Sequence, residues 1–372
     1  MPPVNVLIKP ASSHCNLRCQ YCFYHDEAAK RKTFSYGVMR EETIEAIISK
    51  ALAHASRSCT FGFQGGEPTL AGLDFFEHVI DLQKRYNTKG LNIYNALQTN
   101  GTQIDDEWAS FFAKNQFLIG VSLDGHESLH NLYRKDEQGN GTFGRVMQGI
   151  ETLKRNDVEF NILTVVTAQT AKHIKEVYAF FKKHGLKYQQ YVPCFEPIGE
   201  RRTKQRYSLT PQLYARFLKN LFDLWYKDRE AGEFAYNRYF ENLAAILLGY
   251  KPESCDMNGV CSLQYAFEAD GSAYPCDFYM LDDYCIGNIN IDSMEDIYQN
   301  CYNIGFIQQS AKLPTECQNC QWLDLCRNGC LRNRLQVDSF DAGLNYYCDA
   351  FKEFFPYILP NMGKIIRGRK DQ

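Results

Sequence analysis

Three cysteines crowd into eight residues near the start of the chain, Cys15-Asn16-Leu17-Arg18-Cys19-Gln20-Tyr21-Cys22. A tetrahedral zinc or a fully protein-held four-iron cube takes four ligands. Three thiolates leave one iron of such a cube without a protein ligand, as catalytic zinc sites leave a position for water or substrate. A zinc knot that borrows a fourth donor, His14 among the candidates, satisfies the spacing as well. Eight more cysteines gather downstream: Cys255, Cys261 and Cys276, the run Cys317-x2-Cys320-x5-Cys326-x3-Cys330, and Cys348. Eight thiols make two sets of four, a count that two clusters or two structural zincs meet equally. Spacing does not say which thiol serves which metal. Between residues 23 and 254 only Cys59 and Cys194 occur. With no run of 18 apolar residues and no leader pattern a cytoplasmic location is expected, and a reducing cytosol disfavours a disulfide framework and shifts the weight to metal.

Smaller motifs lie between these groups. "QGGEP" at 64–68 has two glycines that let backbone approach a ligand closely, and by itself it reads as a turn closed by proline. Asp277 follows Cys276 and, taken alone, reads as a turn residue bonding neighbouring amides. Ser122 in "SLDG" is a strand-end hydroxyl, and Arg134 in "NLYRK" a solvated charge. Gln64, Gln98 and Asn100 are strand-end amides able to touch a peptide. Cys59, Cys194, Cys285 and Cys301 are expected to be buried and to behave as small hydrophobes.

The elements that must position these residues follow a repeating pattern. Apolar runs at 4–10, 59–64, 91–98, 117–124, 160–167 and 188–195 are rich in β-branched and aromatic residues and predict strands. Helical stripes fall between them, as in "EETIEAIISKALAHAS", where Ile44, Ile47, Ile48, Ala51 and Leu52 share a face. Further stripes run over 73–86, 143–155 and 171–185. Six strand–helix units predict parallel strands with right-handed crossovers. Six are too few for a complete eight-fold barrel. The expected fold is therefore α/β, a partial (β/α)6 TIM-like barrel, with an open doubly wound sheet as the alternative. In both, active residues follow the C-terminal ends of strands. The three-cysteine motif follows the first strand and "GGEP" the second. From Phe234 the pattern changes to one helix, a hairpin turning at Asp270-Gly271, a short helix capped by Ser293, and cysteine-rich sequence of little periodicity. Two domains are expected, 1–234 and 235–372, the second small and held together by metal.

The C-x3-C-x2-C motif directly after a first strand, with Phe23-Tyr24 following, resembles the radical S-adenosylmethionine (SAM) superfamily. That resemblance implies a [4Fe–4S] cluster on Cys15, Cys19 and Cys22 whose open iron binds SAM. An electron then splits the sulfonium and gives a 5′-deoxyadenosyl radical. It implies SAM contacts at Tyr21 (through its backbone), Gly66, Glu67, Ser122, Arg134 and Phe195, the last a ring where an aliphatic residue is usual. The run from Cys317 to Cys348 resembles the SPASM extension of that superfamily, which carries two auxiliary [4Fe–4S] clusters. Carried over, Cys255, Cys261, Cys276 and Cys330 hold one, and Cys317, Cys320, Cys326 and Cys348 the other. Within this group "IKPASSHCNLRCQYCFY", "FQGGEPTLAG", "LQTNGT", "MNGVC", "YPCDFY" and "LNYYC" are similar to the anaerobic sulfatase-maturating enzymes, over essentially the whole chain.

What this implies is oxidation of one Cys or Ser of an unfolded sulfatase, in a Cys/Ser-x-Pro/Ala-x-Arg motif, to Cα-formylglycine. Hydrogen abstraction from Cβ, proton removal by Asp277 and electron transfer to an auxiliary cluster make up the reaction, with ferredoxin or flavodoxin as donor. An ordinary aspartate facing an ordinary thiol is roughly 6 kcal/mol short as a base, so proton removal is expected to accompany or follow hydrogen abstraction. A SPASM enzyme that installs a thioether or other cross-link in a ribosomal peptide uses the same clusters and is the alternative. Such enzymes often carry an added N-terminal recognition domain, for which a motif starting at residue 15 leaves no room. The net charge of −3 gives no basic field for nucleic acid, and no run of 18 apolar residues or leader pattern calls for a membrane. A monomer is expected.

Overall fold

In the computed structural model, residues 3–200, 202–334 and 343–370 are described. Met1 and Gln372, the outer bounds of the two expected domains, lie outside them. All six strands form where β-branched and aromatic runs predict: β1 (Val4–Ile8), β2 (Ser58–Phe63), β3 (Asn92–Thr99), β4 (Leu118–Ser122), β5 (Phe160–Val166) and β6 (Tyr188–Pro193). A two-residue β7 (Tyr236–Asn237) and the hairpin β8 (Ala266–Phe267) and β9 (Ala273–Tyr274) follow.

The chain divides into two compact units that interleave in sequence. One comprises residues 1–122, 131–160 and 263–306, the other 123–130, 161–262 and 307–372. In the first, β4, β3, β2 and β1 are parallel neighbours in that order, β8 adds parallel to β1, and β9 is antiparallel to β8. In the second, β5, β6 and β7 are parallel neighbours. Strand order within each unit runs without the reversal that a doubly wound sheet requires. Strand faces alternate: Val4, Val6 and Ile8 are buried along β1, and Cys59, Phe61 and Phe63 along β2.

Helices fall where the periodicity places them. The stripe Ile44, Ile47, Ile48, Ala51 and Leu52 of helix Glu41–His54 is buried. The expected helix over 171–185 is two, Ala168–Lys172 and Ile174–Lys183, the first capped by Thr167. Asp105 caps helix Asp106–Lys114 by accepting from Trp108 N, and so seats Trp108 against Phe76 in the aromatic core of the first unit.

Two helices of the second unit lie beyond the sequence reading. Helix Pro211–Glu230 starts at Thr210, which caps Leu213 N, with proline at the first helical position. Helix Cys348–Lys370 carries Pro356 and Pro360 in its interior. The two join through Tyr214 with Phe351, Phe222 with Phe354, and Tyr357 Oη donating to Asp223. Phe354, Phe355, Ile358 and Met362 are buried, so the cysteine-rich end has an apolar core of its own and does not depend on metal alone. Among the described residues no helix is long and apolar enough to cross a membrane.

Candidate active site and metal centres

The Cys15–Cys22 loop leaves β1 and is fixed by backbone pairing to residues 133–136. Arg18 N donates to Lys135 O at 2.7 Å and Gln20 N to Tyr133 O at 3.1 Å. That pairing buries Arg134 and sets its guanidinium 5.4 Å from the centre of the Tyr21 ring, where its charge favours the Cys22 thiolate. Arg134 is thus buried against the cysteine loop, where sequence alone read a solvated charge.

The "GGEP" turn at the end of β2 presses on the same loop. Glu67 N donates to His14 O at 2.8 Å. Gly66 has φ +57°, and a Cβ there would collide with the carbonyl oxygen of His14. The Glu67 carboxylate is buried and both its oxygens are engaged. Oε1 accepts from Thr69 N (3.2 Å), Thr69 Oγ1 (2.7 Å) and Thr99 Oγ1 (2.7 Å), and Oε2 from Asn100 N (2.7 Å). Burial pushes its carboxyl up and these donors oppose the shift. Asn100 then donates to Asn16 Oδ1 at 2.8 Å and approaches Cys15 Sγ at 3.9 Å. Gln98 Nε2 donates to Ser122 Oγ at 3.1 Å. Gln64, Glu67, Gln98, Asn100 and Ser122 thus stand at or just beyond the C-terminal ends of β2, β3 and β4.

Asp277 opens a 3-10 turn after Cys276 and is buried in the same unit. Its Oδ2 accepts from Tyr24 Oη at 2.9 Å and Gln64 Nε2 at 2.8 Å, and Cys276 Sγ lies 3.4 Å from Oδ1. Burial pushes the Asp277 carboxyl up, while the Tyr24 bond and the Lys9 ammonium pull it back. Lys9 stands 5.3 Å from the centre of the Tyr24 ring and pairs with Glu268 at 3.0 Å, which Arg31 also grips; all three charges are buried. The sequence reading named Asp277 and Gln64 without Tyr24, which only its place in an aromatic pair beside Cys22 signalled.

In the second unit the thiols fall into groups by mutual charge. Cys330 feels Cys261 and Cys255, and Cys326 feels Cys348, Cys317 and Cys320. Cys276 belongs to the first unit. Arg334, 1% exposed, lies at the centre of these segments, donating to the carbonyls of Asn328 (2.9 Å), Ser310 (2.6 Å), Gly259 (2.5 Å) and Gly329 (2.6 Å). No pattern in the sequence pointed to it. Phe195 stands just beyond the end of β6, with the Arg332 guanidinium 5.3 Å from its ring centre. Cys59, Cys194 and Cys301 are buried, as expected; Cys285 is exposed, because it ends the surface turn Asp282–Tyr284.

Among the described residues no three His, Cys, Asp or Glu side chains are grouped as a single metal ion requires; the chemistry of the thiols suits iron–sulfur clusters. Burial pushes the Cys15 and Cys326 thiols up to about 12, and raises Cys22 and Cys330. Such thiols keep their protons unless a metal replaces them. Backbone N–H groups nevertheless turn to the sulfurs, from Leu17 to Cys15 at 3.4 Å, from Tyr24 and His25 to Cys22, and from Arg332 to Cys330. N–H donors aimed at buried sulfur suit thiolates held by a cluster.

Residues 10–181 match the radical SAM superfamily, and residues 259–321 match an iron–sulfur cluster-binding domain of the SPASM type. The chain is therefore a radical SAM protein with an auxiliary-cluster domain, built on an α/β fold of mostly parallel strands. It is 49% identical over 370 residues, a coverage of 100% of each chain to the nearest per cent, to a cysteine-type anaerobic sulfatase-maturating enzyme of Clostridium perfringens strain 13. A serine-type counterpart from Bacteroides thetaiotaomicron is 32% identical, with 97% of this chain and 90% of that one covered. The structure of native anSMEcpe with bound AdoMet and a Cp18Cys peptide superposes with TM-score 0.94 at 48% identity, covering 99% of both chains. The chain belongs to the anaerobic sulfatase-maturating enzymes.

Proposed function

We propose that this enzyme oxidises a cysteine of an unfolded sulfatase to Cα-formylglycine. The choice of cysteine over serine follows the stronger likeness to the cysteine-type relatives. When bound, SAM on an open-iron cluster supplies the radical that takes hydrogen from Cβ, and auxiliary clusters supply an electron acceptor. Cys15, Cys19 and Cys22 hold the first cluster. Cys255, Cys261, Cys276 and Cys330 hold one auxiliary cluster, and Cys317, Cys320, Cys326 and Cys348 the other. Tyr21, Gly66, Ser122, Arg134 and Phe195 line the SAM site, Arg134 as the partner of its carboxylate. Glu67 acts there through the Asn100 and Thr69 amides that it fixes. Segment 1–234 carries the radical chemistry and 235–372 the auxiliary clusters.

Asp277 removes the substrate proton. The observation that carries this reading is the buried Asp277, held by Tyr24 and Gln64 next to a cluster cysteine. Two donors on Oδ2 leave Oδ1 aimed at the Cys276 side, fixing the carboxylate plane. Burial raises the carboxyl and so narrows the gap to a thiol. A flavodoxin or ferredoxin supplies the electron, and the thiol-rich chain suits the reducing cytoplasm. An anaerobic assay with a Cys-x-Pro-x-Arg peptide and its Ser counterpart tests the proposal. Aldehyde from the Cys peptide, captured as a hydrazone, supports it; a stable intrapeptide link shows a cross-linking enzyme instead.

A further inference from the structure

Just beyond β6, the second unit holds two buried polar side chains whose bonding is incomplete. Arg332 is 5% exposed and Glu196 8%. Arg332 Nη2 donates to the Glu196 carbonyl at 3.0 Å, and Glu196 Oε1 accepts from Thr203 N at 3.3 Å. Arg332 Nε and Glu196 Oε2 have no hydrogen-bond partner among the described residues. Arg202, a further cation among the described residues, is engaged elsewhere: its guanidinium lies 4.2 Å from the centre of the Tyr346 ring, and Nη2 reaches Arg332 O at 3.5 Å. Phe195 closes one side with its ring against Arg332.

An unpaired buried donor or acceptor is costly. Here one of each lies in the same neighbourhood, at the strand end where α/β folds bind ligands. A simple anion would satisfy Arg332 and be repelled by Glu196. A cation would do the reverse. A peptide group satisfies both at once, its carbonyl accepting from Arg332 Nε–H and its N–H donating to Glu196 Oε2. We propose that Arg332 and Glu196 form a two-point clamp on one main-chain amide of the substrate polypeptide. This rests on the reading that the substrate is an extended sulfatase segment, and it makes part of the recognition independent of side-chain sequence.

The test uses cluster-loaded enzyme, SAM and the Cys-x-Pro-x-Arg peptide. Glu196→Gln and Arg332→Met are compared with the wild type at equal iron content, together with a set of peptides in which single backbone amides are replaced by esters. The clamp predicts that Glu196→Gln raises peptide KM about tenfold or more, with a smaller change in kcat, the scale of one lost charge-assisted bond. It also predicts that one ester position weakens wild-type binding, while Glu196→Gln is indifferent to that position. Unchanged KM in an iron-replete Glu196→Gln variant, or no ester position distinguished by it, overturns the clamp and leaves solvent as the partner of these groups. Should Arg332→Met lose iron, its place two residues after Cys330 explains that, and the ester series with Glu196→Gln decides. A wild type that forms no aldehyde refutes the functional reading instead.

Discussion

Replacing Asp277 by Asn removes the proposed base and little else. The side chain is isosteric, and an amide oxygen in the place of Oδ2 still accepts from Tyr24 Oη and Gln64 Nε2, now at 2.9 and 2.8 Å. Packing and the neighbouring Cys276 should therefore be kept. What is lost is a proton acceptor, and a positioned general base contributes about 10²–10⁴ in rate, or roughly 3–5 kcal/mol. Aldehyde formation is expected to fall by that factor. Cleavage of SAM to 5′-deoxyadenosine, which does not call on Asp277, is expected to fall far less, so the ratio of deoxyadenosine to aldehyde rises steeply. Both are read from one anaerobic reaction by chromatography and mass spectrometry, with iron content as the check on folding. Aldehyde at the wild-type rate in an iron-replete Asp277→Asn enzyme refutes the assignment of the base.

Tyr24→Phe removes a donor that favours ionised Asp277. The carboxyl rises further, and because the base acts ionised, the rising limb of the kcat/KM profile should move to higher pH. Gly66→Ala places a Cβ against the His14 carbonyl at φ +57°. The Cys15–Cys22 loop must shift, and purified protein should hold about four irons fewer per chain by colorimetric assay. Arg334→Met strips four buried carbonyls of their donor; a loss of about 3–5 kcal/mol in denaturant unfolding is expected. Glu268→Gln leaves Lys9 and Arg31 buried without their carboxylate, and about 3 kcal/mol or more should be lost.

The strands were legible because each is a short β-branched and aromatic run, several with glycine or proline behind them, and the cysteine sets because thiol spacing has few other uses. Helix Cys348–Lys370 was not, since Pro356 and Pro360 break the expected pattern while Phe351 and Phe354 anchor it against helix Pro211–Glu230. The polar half of the site was equally hidden. Tyr24 meets Asp277 across 253 residues of sequence, and Lys9 meets Glu268 across 259. Periodicity reports which face of an element is apolar, and carries nothing about a lone polar partner so far away. Arg134 shows the same limit from the other side. Its short polar context suggested solvent, and only the pairing of residues 133–136 with the cysteine loop buries it.

The central claim is that a three-thiolate cluster in this chain binds SAM and breaks it reductively to start oxidation of a cysteine peptide. The most direct measurement is 5′-deoxyadenosine released by anaerobically reconstituted enzyme with a strong reductant and the Cys-x-Pro-x-Arg peptide. The account predicts deoxyadenosine in proportion to aldehyde, and its loss in a Cys15→Ala, Cys19→Ala, Cys22→Ala variant. Iron-replete wild-type enzyme that yields no deoxyadenosine contradicts it.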